Sequence, residues 1–158
     1  TLLYESKELQ AIPYLEEAAR VRPEALFWLH LGVAYRRTMQ PAKAFAANQR
    51  GLQLAQAEMQ RDLKDGVFRA TVAFLAASLK DEKTALMEAA QALRFSPGDA
   101  DTQLLVALTF EALGRRADTL SALRDAGRGV LDDLSRWPDV ADLARDSRFL
   151  ELTARQSR

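Results

Sequence analysis

The chain has 158 residues, with 22 Lys+Arg against 22 Asp+Glu and a net charge of zero. That balance excludes a strongly basic nucleic-acid binder and an acidic, self-repelling disordered chain. The absence of cysteine excludes disulfides, zinc–thiolate sites and thiol nucleophiles together. Apolar residues make up 48% of the chain, enough for a core. Ala supplies 28 of them and Leu 25, while Ile and Val together supply 8. This composition predicts helices, since β-branched residues are what strands are usually made from.

Taken in chain order, the predicted helices are 1–5, 10–21, 25–38, 41–63, 67–79, 82–95, 100–113 and 116–126. Thr1-Leu2-Leu3-Tyr4-Glu5 carries no initiator Met, basic leader or cleavable apolar segment. It starts in mid-pattern and reads as the tail of a helix whose beginning lies outside the sequence. Pro13 is placed in the first turn of a helix starting near Gln10, where its missing N–H matters little. Pro23 and Pro97 end the helices before them. Asp65-Gly66 and Ser96-Pro97-Gly98-Asp99 are breaks, with Asp99 as N-cap, and Gly114 closes the helix that begins near Asp101. The longest uncharged apolar run, 70–79, is half of the roughly 20 residues a membrane span needs.

Four stretches align with one another. The fullest has Trp28, Leu31, Gly32, Tyr35, Ala44 and Gly51-Leu52. The next has Val72, Ala73, Ala76, Ala85, Ala89, Ala92-Leu93 and Pro97. A third has Val106, Ala107, Phe110, Gly114, Thr119, Leu123 and Ala126. An earlier, partial one has Ala11, Leu15, Ala18-Ala19 and Pro23. Ala73 to Ala107 is a step of 34 residues, whereas Gly32 to Ala73 is 41, so seven residues are inserted. The insertion, 55–62, keeps helical spacing and reads as extra turns on the helix from Pro41. Gly32, Ala73 and Ala107 mark places where helices approach closely, with Tyr35 and Phe110 filling the space beside them. Ala44, Ala85 and Thr119 have the same small-residue role on the second helices.

This pattern resembles the tetratricopeptide repeat, W-x2-L-G-x2-Y followed by a small residue, an aromatic, a small residue and a Pro. Trp28-x-x-Leu31-Gly32-x-x-Tyr35 with Ala44 is the best copy, and the match covers about 125 of the 158 residues. Asn48 stands where an aromatic is usual, that copy lacks the closing Pro, and Arg69 replaces the Trp of the next. The resemblance implies an all-α fold: a right-handed α-solenoid of antiparallel helix pairs. The repeats would occupy 1–126, as 1–23, 25–58, 66–97 and 100–126, and a helical capping segment 127–158.

Gly127-Arg128-Gly129 interrupts the pattern. Beyond it, Trp137, Val140, Leu143, Phe149 and Leu150 are expected to pack on the last unit, with Arg145, Arg148 and Glu151 facing water. The run from Trp137-Pro138-Asp139-Val140 to Leu152 is similar to the closing segment of repeat regions in bacterial multidomain signalling proteins. That similarity implies a regulatory, sensor or oligomerisation region of a larger signalling enzyme or transcription regulator as the alternative to a free-standing interaction module.

No constellation for catalysis stands out. His30, the only histidine, has no neighbouring nucleophile or set of ligands in the pattern, and is read as structural or groove-lining. Glu16-Glu17, Asp81-Glu82 and Asp132-Asp133 are sequential neighbours that point apart on a helix, so they are solvated faces rather than acid–base dyads. Gly127-Arg128-Gly129 is too short to cradle phosphate. Arg36-Arg37 and Arg115-Arg116 are pairs, smaller than a phosphate-tracking patch. The expectation is therefore no enzyme activity, no metal and no cofactor.

What remains is a surface. In the tetratricopeptide arrangement the first helix of each pair lines a concave groove. The resemblance places Leu26, Leu29, Val33, Arg36 and Arg37 there from one unit. The next contributes Val67, Ala70, Phe74, Ala77 and Ser78, and the last Asp101, Leu104, Leu108, Glu111 and Ala112. This is an apolar strip with cations at one end and carboxylates at the other, expected to take a peptide or helix of a partner protein. Leu29 and Val33 replace the Lys and Asn that clamp a C-terminal carboxylate in the family, so that mode is not expected. Nucleic acid and membrane are not expected partners, and a second copy of the chain is an admissible one. The compartment is left open. The cytoplasm is favoured, with an extracytoplasmic place if this is the distal part of a membrane-anchored signalling protein.

Overall fold

The computed structural model describes residues 2–156, with side chains from Lys7 onward. Among these residues the chain is all-helical, with no strand: α1 (Leu2–Val21), α2 (Ala25–Arg37), α3 (Pro41–Met59), α4 (Gly66–Ser78), α5 (Glu82–Phe95), α6 (Ala100–Ala112), α7 (Arg116–Ala122), α8 (Arg128–Arg136) and α9 (Ser147–Arg155). Two 3₁₀ turns, Pro138–Val140 and Leu143–Arg145, connect α8 to α9. None of the helices is long and apolar enough to cross a membrane among the described residues. The chain divides between Leu63 and Lys64 into two compact units, one holding α1–α3 and the other α4–α9.

The repeat is visible in the elements themselves. Helices α2, α4 and α6 are each 13 residues long. They begin at Ala25, Gly66 and Ala100, steps of 41 and 34 residues. Each packs on the helix after it: α2 on α3, α4 on α5, α6 on α7. Each also ends in the same way. Met39, Lys80 and Gly114 all have positive φ, at 58°, 67° and 70°. In all three turns two amides reach back to carbonyls that the helix end leaves unsatisfied. Met39 N–H meets Arg36 O at 3.2 Å and Gln40 N–H meets Tyr35 O at 2.8 Å. Lys80 and Asp81 do the same to Ala77 and Ala76, and Gly114 and Arg115 to Glu111 and Phe110, at 2.8–3.0 Å. A left-handed residue past the helix C-terminus is the ordinary stop signal. Here it recurs with the period of the repeat, although glycine supplies it only once.

In the first unit α2 packs on both α1 and α3. Its core joins Ile12 and Ala19 of α1, Leu31, Ala34 and Tyr35 of α2, and Ala44 and Ala47 of α3, with Leu15, Phe27 and Trp28 half-buried around them. Gly32 is buried against α3, where a Cβ would collide with Asn48. α1 departs from the expectation of two helices split near Gln10. It is one helix, and Pro13 lies in its middle. Leu9 and Pro13 are both exposed, so the carbonyl that loses its partner at Pro13 lies on the solvent side of the helix. The part of the expected 1–5 helix that falls on Thr1 lies outside the described residues. α3 stops at Met59, short of the expected 63, because Arg61 and Asp62 turn back onto Glu58 and Met59 carbonyls at 3.0 and 3.2 Å. The extra turns have a structural use: Glu58 accepts the Ala25 amide at 2.9 Å, capping α2 from a neighbouring helix. Glu24, the residue at the α2 cap position, makes no such bond itself.

In the second unit α4 packs on α5 and α6, and α6 also on α5, α7 and α8. Asp65, Asp81 and Asp99 cap α4, α5 and α6 by accepting the amides of Phe68, Thr84 and Thr102. Gly66 is fixed by the close approach of α5: a Cβ there would lie 2.4 Å from Ser96 Cβ, and its amide donates to Ser96 Oγ at 3.2 Å. Ala73, Ala85, Ala107 and Thr119 are fully buried, and Phe110 is buried beside them. α7 ends at Ala122 rather than near 126, and Gly127 opens α8 instead of merely breaking the chain. From there Leu131, Leu134, Leu143 and Phe149 are all fully buried, and Val140 is buried too. Each such side chain contributes about 1.5–3 kcal/mol on removal from water. The expected packing fails at Leu150, which is 52% exposed. Phe149 takes the core position one residue earlier, and the next residue on a helix points about 100° away.

Candidate functional site

The expected site is the open face of the first helices. The structure buries most of it. Leu29 and Val33 on α2, Ala70, Phe74 and Ala77 on α4, and Leu108 on α6 are all buried. The reason is that each of these helices has neighbours on more than one side. α4 shows it best: every residue from Ala70 to Ala77 is buried, so no stripe is left for a groove. What reaches solvent is sparser. On α2 these are Leu26, at 47% exposure, and Arg36, with Arg37 half-buried. On α4 and α6 they are half-buried Val67, Ser78, Leu104 and Glu111, and exposed Asp101 and Ala112.

The charged members are largely engaged. Arg37 pairs with Glu8 of α1. Glu111 is held by both Nε and Nη2 of Arg116, each at 2.8 Å, and Arg116 reaches on to Asp146 at 3.3 Å. Hydrogen bonding to Glu111 raises the Arg116 pKa above its ordinary value. The bond from the Arg148 side chain holds the Asp146 carboxyl well below the usual carboxylate range. Glu111 therefore ties α6 to the turn after it, and is not the loose anionic end of a groove.

Polar residues on α2 bind it to α1. Tyr35 donates its hydroxyl to Glu16. Burial, and then this bond, push the phenol up to about 12, so it stays a donor at neutral pH. His30 is half-buried, and burial pushes its pKa down, opposed by Glu8 and reinforced by Arg37. Arg69 stands at the Trp position of the third repeat, 66–97, and pairs at 2.5 Å with Glu88 of α5, with its guanidinium 5.4 Å from the Phe95 ring. An ion pair and an aromatic contact thus replace one indole. Among the described residues no group of His, Asp and Glu could hold a metal ion.

The chain matches no protein-family model, no curated protein and no solved structure.

Proposed function

We propose that this chain is a protein–protein interaction module of the tetratricopeptide type. Its helix pairs run antiparallel and stack as a right-handed solenoid that presents first helices to a partner peptide or helix. The observation that supports this reading is the triple recurrence of a 13-residue first helix, a left-handed stop and a packed second helix, at steps of 41 and 34 residues. Such units cannot bury their faces alone and share their cores by stacking. Proteins built this way recognise partners through residues repeated on their first helices, and those that reach solvent are Leu26 and Arg36 in the first unit, and Val67, Asp101 and Leu104 in the second.

Selection of random displayed peptides on the folded chain tests the reading. Selected peptides should bind saturably. Leu104→Ala should weaken them by about tenfold and Asp101→Lys should change their salt dependence, with far-ultraviolet circular dichroism unchanged. Failure to select any binder, or binders indifferent to both variants, would contradict it.

A further inference from the structure

A cleft of about 330 Å³ opens in the second unit between α7 and α9. One wall is Ala117, Leu120, Ser121 and Arg124, an i, i+3, i+4, i+7 stripe that continues α7 past its last turn. The other is Arg148, Glu151, Leu152 and Arg155, the same spacing on α9. Two helices therefore turn matched stripes toward one open groove. Leu120 and Leu152 are half-buried and supply its apolar part, while the three arginines are exposed. Arg148 is held in place by Asp146, through Nε at 3.1 Å and Nη2 at 2.8 Å. Neither Arg124 nor Arg155 meets a carboxylate among the described residues.

We propose that this cleft binds an acidic amphipathic segment of a partner protein. Its carboxylates would engage Arg124 and Arg155, and an adjoining aliphatic side chain would lie between Leu120 and Leu152. Three features favour this occupant. The volume is near the lower end of the roughly 300–1,000 Å³ of ligand sites, with room for one or two side chains. The guanidinium forks match carboxylates in shape and charge. Glu151 in the wall and Asp146 beside Arg148 would repel a polyanion such as nucleic acid, but leave space for single carboxylates set beside an apolar contact. A seam between two helices is also the shape that accepts a third amphipathic helix. This surface uses helices other than those of the proposed first-helix face, so it stands or falls separately from that reading.

The full chain is titrated with a fluorescein-labelled, acetylated peptide of about 16 residues that carries Leu along one helical stripe and Glu on both sides of it. Its Gln-for-Glu counterpart is the control, and inorganic phosphate is the competitor, compared with potassium chloride of equal ionic strength. The Glu peptide should bind saturably and the Gln peptide about tenfold more weakly or worse. Arg124→Glu and Arg155→Glu should each weaken the Glu peptide by about tenfold with helicity unchanged. If a reversal unfolds the chain, Arg124→Gln and Arg155→Gln provide the same comparison. Equal binding of the two peptides, binding of neither, or full affinity in the folded arginine variants would overturn the proposal. Displacement by phosphate beyond the salt control would also overturn it, by assigning the cleft to a free oxyanion.

Discussion

The side-chain amide of Asn48 on α3 occupies the space that a Cβ at residue 32 would need: an ideal Cβ there lies 2.0 Å from Oδ1 and 2.9 Å from Cγ. Both residues are buried. The bare backbone of Gly32 and the amide of Asn48 are therefore one packing arrangement, placed where the repeat pattern otherwise puts an aromatic. Gly32→Ala should drive Asn48 out of position and cost about 1–3 kcal/mol. In an Asn48→Ala background the same change should cost much less, a coupling of about 0.5–3 kcal/mol. Urea unfolding of the four proteins measures it, and simply additive losses would contradict the contact.

The three positive-φ residues carry unequal strain. Met39 and Lys80 bear side chains in a conformation that glycine adopts freely, whereas Gly114 does not. Met39→Gly and Lys80→Gly should each raise stability by about 0.5–1 kcal/mol, and Gly114→Ala should lower it by a similar amount. Thermal unfolding of the three variants checks the sign. A loss of stability in Lys80→Gly would remove the argument that these turns are equivalent.

Arg69 and Glu88 form a pair whose side chains are 14% and 8% exposed. Removing Glu88 takes the paired carboxylate away from a largely buried guanidinium. Glu88→Ala alone should cost about 3–5 kcal/mol, whereas Arg69→Leu with Glu88→Leu should recover most of that loss. Denaturant midpoints for the two variants decide. Equal losses would mean that the pair adds little beyond the volume it fills.

Acid should weaken the packing around His30. Burial lowers its folded pKa, so the folded chain binds the imidazole proton less readily than the unfolded chain does. The stability from the neutral ring is present above the unfolded value of about 6.5 and is lost as pH falls through the lower folded value. Urea midpoints taken from about pH 7.5 to 5 should fall toward the acid end by at most about 1.4 kcal/mol per pH unit. His30→Gln should flatten that part of the curve. An unchanged slope in the variant would assign the acid response to other groups.

The helices were largely legible because the residues that mark their ends act locally. Asp99 caps α6 within three residues, as its place in Ser96-Pro97-Gly98-Asp99 suggests, and Gly114 stops α6 by its own backbone freedom, whereas the caps at Asp65 and Asp81 appear only in the structure. The step of 41 and then 34 residues was equally plain in the spacing of Gly32, Ala73 and Ala107. Two kinds of feature were not legible. Pro13 inside α1 is tolerated because its side of the helix faces solvent, which depends on where α2 packs. The exposure of the first-helix face depends likewise on how many helices surround it. Phe74, Leu108 and Leu29 satisfy the family's spacing for a groove and are nevertheless core, since spacing identifies a face but does not count its neighbours. The stripes on α7 and α9 had the same i, i+3, i+4, i+7 signal. The stripe on α9 lies beyond the last repeat, where the sequence reading has Arg148 and Glu151 only facing water.

The most direct test of the interaction-module account is an amide-resolved nuclear magnetic resonance titration of the chain with a peptide selected against it. The account predicts saturable shifts grouped on first-helix positions that reach solvent, at Val67, Asp101 and Leu104 or at Leu26 and Arg36, with the buried amides of Leu75 and Val106 unmoved. Shifts confined to surfaces outside α2, α4 and α6, or no saturable shift with any selected peptide, would contradict it.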